Sequence, residues 1–265
     1  MSDYLNEILR HKREEVENQR RRMPLAELKD RAGYAQPRRS LKASLHAHSP
    51  AVIAEIKAAS PSKGSIRIVT DVAGIAASLA RGGAAALSVL TDERFFGGRI
   101  EYLPLARGGH SLPVLRKDFI LDPYQVHQAR AFEADAILLI VAALEKSLLR
   151  DLYHLARELG LEVLVEVHSE AELASIYGER FEILGINNRD LTTFHTDIET
   201  SIRLGALAPS RSLVVSESGI QTRSQIDRLA AHGIHAFLVG ETLMRAPEPG
   251  LALRSLLTPA LEGPV

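Results

Sequence analysis

Glu55 and Lys57 stand two residues apart at the end of the apolar run 52–56. In a strand that spacing turns both side chains to one face, with Ile56 on the other. Lys117 stands two residues past a second such run and is followed by Asp118 and Phe119. Glu166 sits within a third run, Asn187 and Arg189 follow a fourth, Glu217 and Ser218 a fifth, and Gly240 and Glu241 a sixth. Lysines and carboxylates gathered in one place suit proton traffic. A lysine near other cations has a lowered pKa and can serve as an acid. A glutamate in a partly dry mouth has a raised one and can serve as acid or base. The set fits carbonyl protonation, ring formation and dehydration. It fits equally a Schiff-base aldolase in which one lysine is the nucleophile. A structural ion pair accounts for one such exit, because an unpaired buried charge is costly. Six polar exits in one chain point to a working site.

Ser218-Gly219 and Gly240-Glu241 add a binding function. Glycine carries no Cβ, so backbone N–H groups there can approach an anion closely. Ser60 offers a hydroxyl, and Arg189 a charge-assisted bond to phosphate or carboxylate. The expected ligand is a small phosphorylated molecule. A phosphate-binding protein without turnover is the rival reading, but it has no need of converging lysines and glutamates. The chain has no cysteine, which excludes thiolate catalysis and Cys-ligated zinc. His46 and His48 lie two apart without a third ligand at metal-binding spacing, and the other histidines are scattered. No metal and no cofactor is expected.

Such residues need a frame that brings distant positions to one mouth. Apolar runs recur at 52–56, 86–90, 113–115, 136–141, 163–167, 183–186, 213–215 and 236–239. They are dense in Val, Ile and Leu with little alternation, as parallel strands covered on both faces are. Helix signals lie between them. Asp122-Pro123 reads as an N-cap with Pro at the first helical position. Ser169 with Glu172, Thr196 with Glu199, and Thr222 with Gln225 match capping boxes. Gly82-Gly83, Gly160 and Gly233 mark helix ends. Eight βα units predict an α/β chain folded as a (β/α)8 TIM barrel, with function at the C-terminal strand ends and phosphate near the last two. An open doubly wound sheet is the alternative, weakened by the lack of Gly-x-Gly-x-x-Gly after the first strand.

Residues 1–48 differ from the rest. Leu5, Ile8, Leu9, Lys12 and Val16 recur at helical spacing and predict an amphipathic helix that needs a partner surface. Arg20, Arg21 and Arg22 read as its solvated end, where positive charge suits the dipole. Pro24 and Pro37 break the segment. The expected organisation is a helical extension, 1–48, packed on a catalytic barrel, 49–265. The stretch Ser60-Pro61-Ser62-Lys63-Gly64 is expected to be a mobile loop that closes over the site.

The chain of 265 residues holds 32 Lys+Arg against 33 Asp+Glu, a net charge of −1. That balance argues against non-specific nucleic-acid binding. The first thirty residues lack the apolar core of a signal peptide. The longest apolar run, 136–144, is far short of the ~20 residues of a membrane helix. The expectation is a soluble cytoplasmic protein, apart from membranes, monomeric or at most a weak homodimer.

Taken together, the exits resemble one family, indole-3-glycerol-phosphate synthase of tryptophan biosynthesis. The matching stretches are Ile53-Ala54-Glu55-Ile56-Lys57 with Ser60-Pro61-Ser62-Lys63-Gly64, and Leu87-Ser88-Val89-Leu90-Thr91-Asp92 with Phe95-Phe96-Gly97-Gly98. They continue through Pro113-Val114-Leu115-Arg116-Lys117-Asp118-Phe119, Asp122-Pro123-Tyr124-Gln125 and Val163-Leu164-Val165-Glu166-Val167-His168. They close with Gly185-Ile186-Asn187-Asn188-Arg189-Asp190-Leu191, Val215-Ser216-Glu217-Ser218-Gly219-Ile220 and Val239-Gly240-Glu241. The resemblance spans nearly the whole chain and implies the monofunctional form, working without cofactor or metal. It implies that Lys117 is the general acid and that Lys57 holds the substrate carboxylate and hydroxyls. Glu166 and Glu55 would serve dehydration, Asn187 would orient the substrate, Ser218 would bond the phosphate or the reacting end, and Glu217 would position substrate hydroxyls or Lys57. Phe96, Phe119 and Leu238 would wall the aromatic ring. Two departures stand out: Leu41 where relatives are expected to carry Phe, and Ala58-Ala59 in place of a charged-small pair.

Overall fold

A computed structural model describes residues 3–60, 64–190 and 192–258. Eight parallel strands close a barrel: β1 (Ala51–Ile56), β2 (Ala86–Leu90), β3 (Val114–Lys117), β4 (Ala136–Ile140), β5 (Glu162–Val167), β6 (Ile183–Asn187), β7 (Leu213–Glu217) and β8 (Ala236–Val239). Each strand pairs with its sequence neighbours, and β8 returns to β1. This is the (β/α)8 architecture predicted from the apolar runs. No helix of the described residues is long and apolar enough to cross a membrane.

Alternation along the strands makes two cores. Ile53, Leu115, Leu138, Ile140, Leu164, Val215 and Leu238 pack inside the barrel. Val52, Ala54, Ile56, Val163, Val165 and Val239 face outward under the helices. Burial on both faces explains the absence of polar alternation in these runs. The register then lines the polar exits up across the mouth: Glu55 opposite Ser88, Leu90 opposite Lys117, Glu166 opposite Gly185, and Asn187 opposite Glu217.

The N-terminal segment touches both ends of the barrel. Its first helix, α1 (Asp3–Arg22), buries Leu5, Ile8, Leu9, Lys12 and Val16, the whole predicted stripe. Arg20 pairs with Asp122 beyond the end of β3, so this arginine is not merely solvated. The short helix Leu41–His46 sets Leu41 and Leu45 into the barrel interior at the end opposite the mouth. Leu41, the departure from the expected Phe, is fully buried there.

Thr222 and Gln225 form a complete capping box, and Asp122 and Ser169 cap their helices. Thr196 does not. The helix after β6 begins at Glu199 with Ile198 as N-cap, and Asp197 Oδ1 accepts the Glu199 N–H at 3.0 Å. Thr196 instead accepts from Arg189 Nε at 3.4 Å across an isolated bridge. A nearer Asx side chain won the helix start. In the loop expected to close over the site, Ala59–Ser60 pairs with Gly64–Ser65. Pro61, Ser62, Lys63 and the Ser60 side chain lie outside the described residues.

Candidate active site

The C-terminal strand ends converge on a cavity of about 890 Å3 including its open mouth. Lys117, at the end of β3, places Nζ 2.7 Å from Glu166 Oε2 of β5 and 3.4 Å from Glu217 Oε2 of β7. Asn187 Nδ2, at the end of β6, donates to Glu166 Oε1 at 3.2 Å. Lys57 pairs with Glu55 Oε1 at 2.9 Å on the β1 side, and Ser88 Oγ donates to Glu55 Oε2 at 3.4 Å. Two lysine–glutamate pairs thus share one mouth, as the spacing in β1 required. Glu217, expected to position substrate hydroxyls or Lys57, has Lys117 as its ion-pair partner.

The electrostatics differ from the expectation of a lysine softened by neighbouring cations. Burial lowers the Lys117 pKa, but the Glu166, Glu217 and Glu55 carboxylates outweigh it and hold the ammonium firmly charged. Burial raises Glu166, yet Lys117 and His168 bring its carboxyl well below the usual range. Glu217 shows the predicted behaviour of a glutamate in a dry mouth. Burial pushes it up, Lys117 opposes, Glu166 and Glu55 add to the rise, and it reaches about 8. Its Oε1 has no hydrogen-bond partner among the described residues. The site therefore holds one ionised and one largely neutral carboxyl on either side of a charged lysine, a separation of roles typical of acid–base centres.

Space for these carboxyls is made by glycine. A Cβ at Gly185 would strike the Glu217 carboxylate, and one at Gly240 would stand 2.5 Å from Glu55 Oε1. The remaining wall is apolar: Phe96, Phe119, Leu90, Leu138, Ile140 and Leu238. The Phe96 and Phe119 rings lie 6.1 Å apart. A flat ring fits such a lining.

A second, more polar recess adjoins the first and shares Glu55, Lys57, Arg189, Ser218 and Leu238 with it. Gly219, Gly240, Glu241 and Thr242 complete it. Ser218 and Gly219 both take the left-handed backbone, at φ 68° and 80°. Such a conformation in a non-glycine residue is strained and is maintained by its surroundings. Here Asn188 Nδ2 donates to the Ser218 carbonyl at 2.9 Å. Arg189 reaches Glu241 Oε2 at 3.5 Å. Every named site residue with a described side chain therefore lines one of the two recesses.

Some lining residues were not singled out from the sequence. Tyr4, Leu5 and Ile8 of α1 and Phe194 of the loop after β6 also border the cavity. Tyr4 packs edge-on against Phe194 and Phe95, at 5.5 and 5.9 Å. The amphipathic pattern called for a partner surface without specifying the mouth. His168 approaches Glu166 from the other side. Among the described residues no cluster of His, Asp and Glu is arranged to hold a metal ion.

A closed barrel with paired ammonium and carboxyl groups at the C-terminal mouth, next to a polar recess after β7 and β8, defines a (β/α)8 enzyme of acid–base type. A family model, Indole-3-glycerol phosphate synthase, matches residues 5–256. Relatives with that name include one from Polaromonas naphthalenivorans, 49% identical over 260 residues, spanning 97% of this chain and 99% of the relative. One from Acidithiobacillus ferrooxidans is 50% identical with the same coverage. The chain belongs to the indole-3-glycerol phosphate synthase family. Among solved structures, a tryptophan synthase alpha-subunit variant from Pyrococcus furiosus aligns with a TM-score of 0.61 at 15% identity, covering 79% of this chain and 98% of that one. The thiamine phosphate pyrophosphorylase of Pyrococcus furiosus aligns at 0.58 and 16%, covering 82% and 96%. At those identities the likeness is one of fold.

Proposed function

We propose that the chain acts as a carboxy-lyase of tryptophan biosynthesis, converting 1-(2-carboxyphenylamino)-1-deoxyribulose 5-phosphate into indole-3-glycerol phosphate, carbon dioxide and water. The observation that carries this reading is the Lys117 ammonium held between Glu166 and Glu217, facing an apolar slot and joined to a polar recess. The slot takes the anthranilate ring. Ser218, Gly219, Gly240 and the Glu241 backbone take the phosphate end, with Arg189 as its cation.

The ring carbon bearing the carboxylate attacks the ketone carbon while Lys117 gives its proton to the ketone oxygen. The bond to the carboxylate then breaks, carbon dioxide leaves, and the electron pair returns to the ring. The new hydroxyl departs as water with one added proton, and the neighbouring methylene gives one up. Glu166 and Glu55 carry these last two transfers, Asn187 orients the intermediate, and Lys57 binds the substrate carboxylate and hydroxyls. Glu217, largely neutral at pH 7, can donate a hydrogen bond to a substrate hydroxyl. A Schiff-base route asks Lys117 for an unprotonated amine, which its three carboxylate neighbours oppose. Residues 1–48 belong to this catalytic unit, because their apolar residues bury into the barrel and Tyr4, Leu5 and Ile8 border the slot. The work is placed in the cytoplasm, with a phosphorylated small molecule as the partner.

The test is incubation of metal-stripped protein with that substrate, following the indole fluorescence of the product. Saturable turnover is expected. Binding of the substrate without turnover would overturn the reaction and leave a ligand-binding barrel.

A further inference from the structure

His168 follows β5 and has no part in the reaction as written above. Its Nε2 lies 3.1 Å from Glu166 Oε1, within ion-pair reach although not aligned as a hydrogen bond. Its Nδ1 lies 3.4 Å from Glu172 Oε2, and that same oxygen accepts the His168 backbone N–H at 2.9 Å. Glu172 is fixed in turn, because Ser169 Oγ donates to its Oε1 at 3.1 Å. The imidazole is 7% exposed. A buried ring therefore bridges two carboxylates, one in the reacting centre and one in the first turn of the helix Glu170–Ser175.

The charges around this ring can be named element by element. Glu166 meets Lys117 from β3, with Glu217 of β7 on the far side of that lysine. The Glu55–Lys57 pair stands on the β1 side. His168 meets Glu172 from the helix after β5, and it also acts on Asp190 in the loop after β6. Of the three mouth carboxyl groups Glu217 is largely neutral, so Glu55 and Glu166 are the ones that face the two lysines. A protonated His168 is the third cation. Burial alone lowers a histidine, but the carboxylates on both sides raise this one to about 10.

We infer that His168, clamped by Glu172, is a positioning residue that keeps Glu166 ionised and shares its charge, so that Lys117 can release its proton to the substrate. This rests on the proposed reaction. A lysine paired with an unshared buried carboxylate is too weak an acid to protonate a ketone. A second cation on the same carboxylate loosens that hold. The demand recurs at each turnover, because an ionised carboxylate leaves as carbon dioxide and one proton is consumed. Without the imidazolium, the Glu166 carboxyl rises and captures protons at higher pH.

Two measurements test this. Imidazole nitrogen NMR of the free protein should show His168 doubly protonated through neutral pH, losing its proton only as pH approaches about 10. In Glu166→Gln the titration should move down. A ring that titrates near the ordinary 6.5 in the wild-type protein overturns the inference, whether or not the protein turns over. In the kinetic arm, His168→Asn should lower kcat about tenfold, leave KM within about twofold, and move the acidic limb of kcat upward by about one pH unit, which is the size of effect expected for losing one neighbouring charge. Glu172→Gln should move the limb the same way by less, and it keeps the test alive if His168→Asn does not fold. A limb that coincides with wild type in a folded variant overturns the inference. Loss of turnover in the wild-type protein would instead count against the reaction, with the NMR arm still decisive for the ring.

Discussion

Lys117 and Glu166 form a 2.7 Å ion pair, and the proposed reaction uses them as a unit. Lys117→Ala and Glu166→Gln should each lower kcat by roughly 10²-fold or more, the scale of a positioned acid or base. Steady-state fluorescence of the product checks both, and near-wild-type turnover in both would remove their roles. The proposed reaction gives Arg189 a different task, holding the phosphate end. Its side chain lines both recesses and, among the described residues, makes a 3.5 Å pair with Glu241 and a 3.4 Å contact to Thr196. Arg189→Ala should raise KM about tenfold with the melting temperature retained, as for loss of a charge-assisted bond. Unchanged substrate affinity would contradict the assignment. At this scale the sequence was informative because charged residues do not end buried strands without cause. Lys57, Lys117, Glu166 and Glu217 were visible as exceptions to apolar runs. Their pairing was not, since it depends on which strands are neighbours and how they are staggered.

At the scale of elements, α1 is tied to the barrel by one residue that the helical pattern counted among its apolar positions. Lys12 is fully buried, with Nζ 2.8 Å from Asp92, 3.0 Å from Asp118 and 2.9 Å from Glu15. Asp118 also binds Arg116 at 2.9 Å and Thr91 at 2.6 Å, and it is the residue next to Lys117. Removing one partner from a buried ionic cluster strands the others, at a cost of about 3–5 kcal/mol. Lys12→Met should therefore lower the unfolding free energy by that amount, read from urea unfolding. A loss below about 1 kcal/mol, the scale of a surface pair, would show that the cluster is not a tether. Strand boundaries show why the pattern reading stopped short. The third and seventh runs were taken to end at Leu115 and Val215, whereas β3 continues to Lys117 and β7 to Glu217. An apolar run stops where polar groups enter the strand, and Lys117 and Glu217 are such positions and line the cavity. The start of the helix after β6 was misplaced for a related reason, because Thr196 and Asp197 both offer side-chain oxygens and tertiary contacts chose between them.

For the whole molecule, the buried charges set a pH dependence of stability. Asp118 and Glu166 are held well below the usual carboxylate range, Asp118 by Lys12 and Arg116 against the effect of burial. Their contribution is complete above about pH 4 and is lost as the pH falls below it. Glu217 has the opposite sign. Its ionised form is disfavoured in the folded state, so stability declines as pH rises from 4.5 toward about 8. His168 adds stability below 6.5 that fades as pH climbs toward about 10. The melting temperature should accordingly be highest near pH 4.5 and fall on both sides. Glu217→Gln should flatten the decline up to pH 8. Calorimetry across pH 3–10 checks this, and a melting temperature still rising from pH 7 to pH 9 would contradict it. The barrel class was readable from eight repeated units. The two-ended embrace of the N-terminal segment was not, because a stripe of apolar residues carries no address.

That embrace has a consequence for the order in which the protein is made. The N-terminal segment leaves the ribosome before the barrel, and its partners come late. Lys42 Nζ bonds Glu182, and the Lys42 backbone N–H bonds Glu162, 140 and 120 residues further on. At a synthesis rate of ~5–20 residues per second, the nascent helix that will plug the barrel waits about 7–28 s for its partner to emerge. Throughout that interval Leu5, Ile8, Leu9, Leu41 and Leu45 have no barrel to enter. The segment that borders the slot at one end and seals the floor at the other is thus made well before the strands it packs on, and it must wait for them.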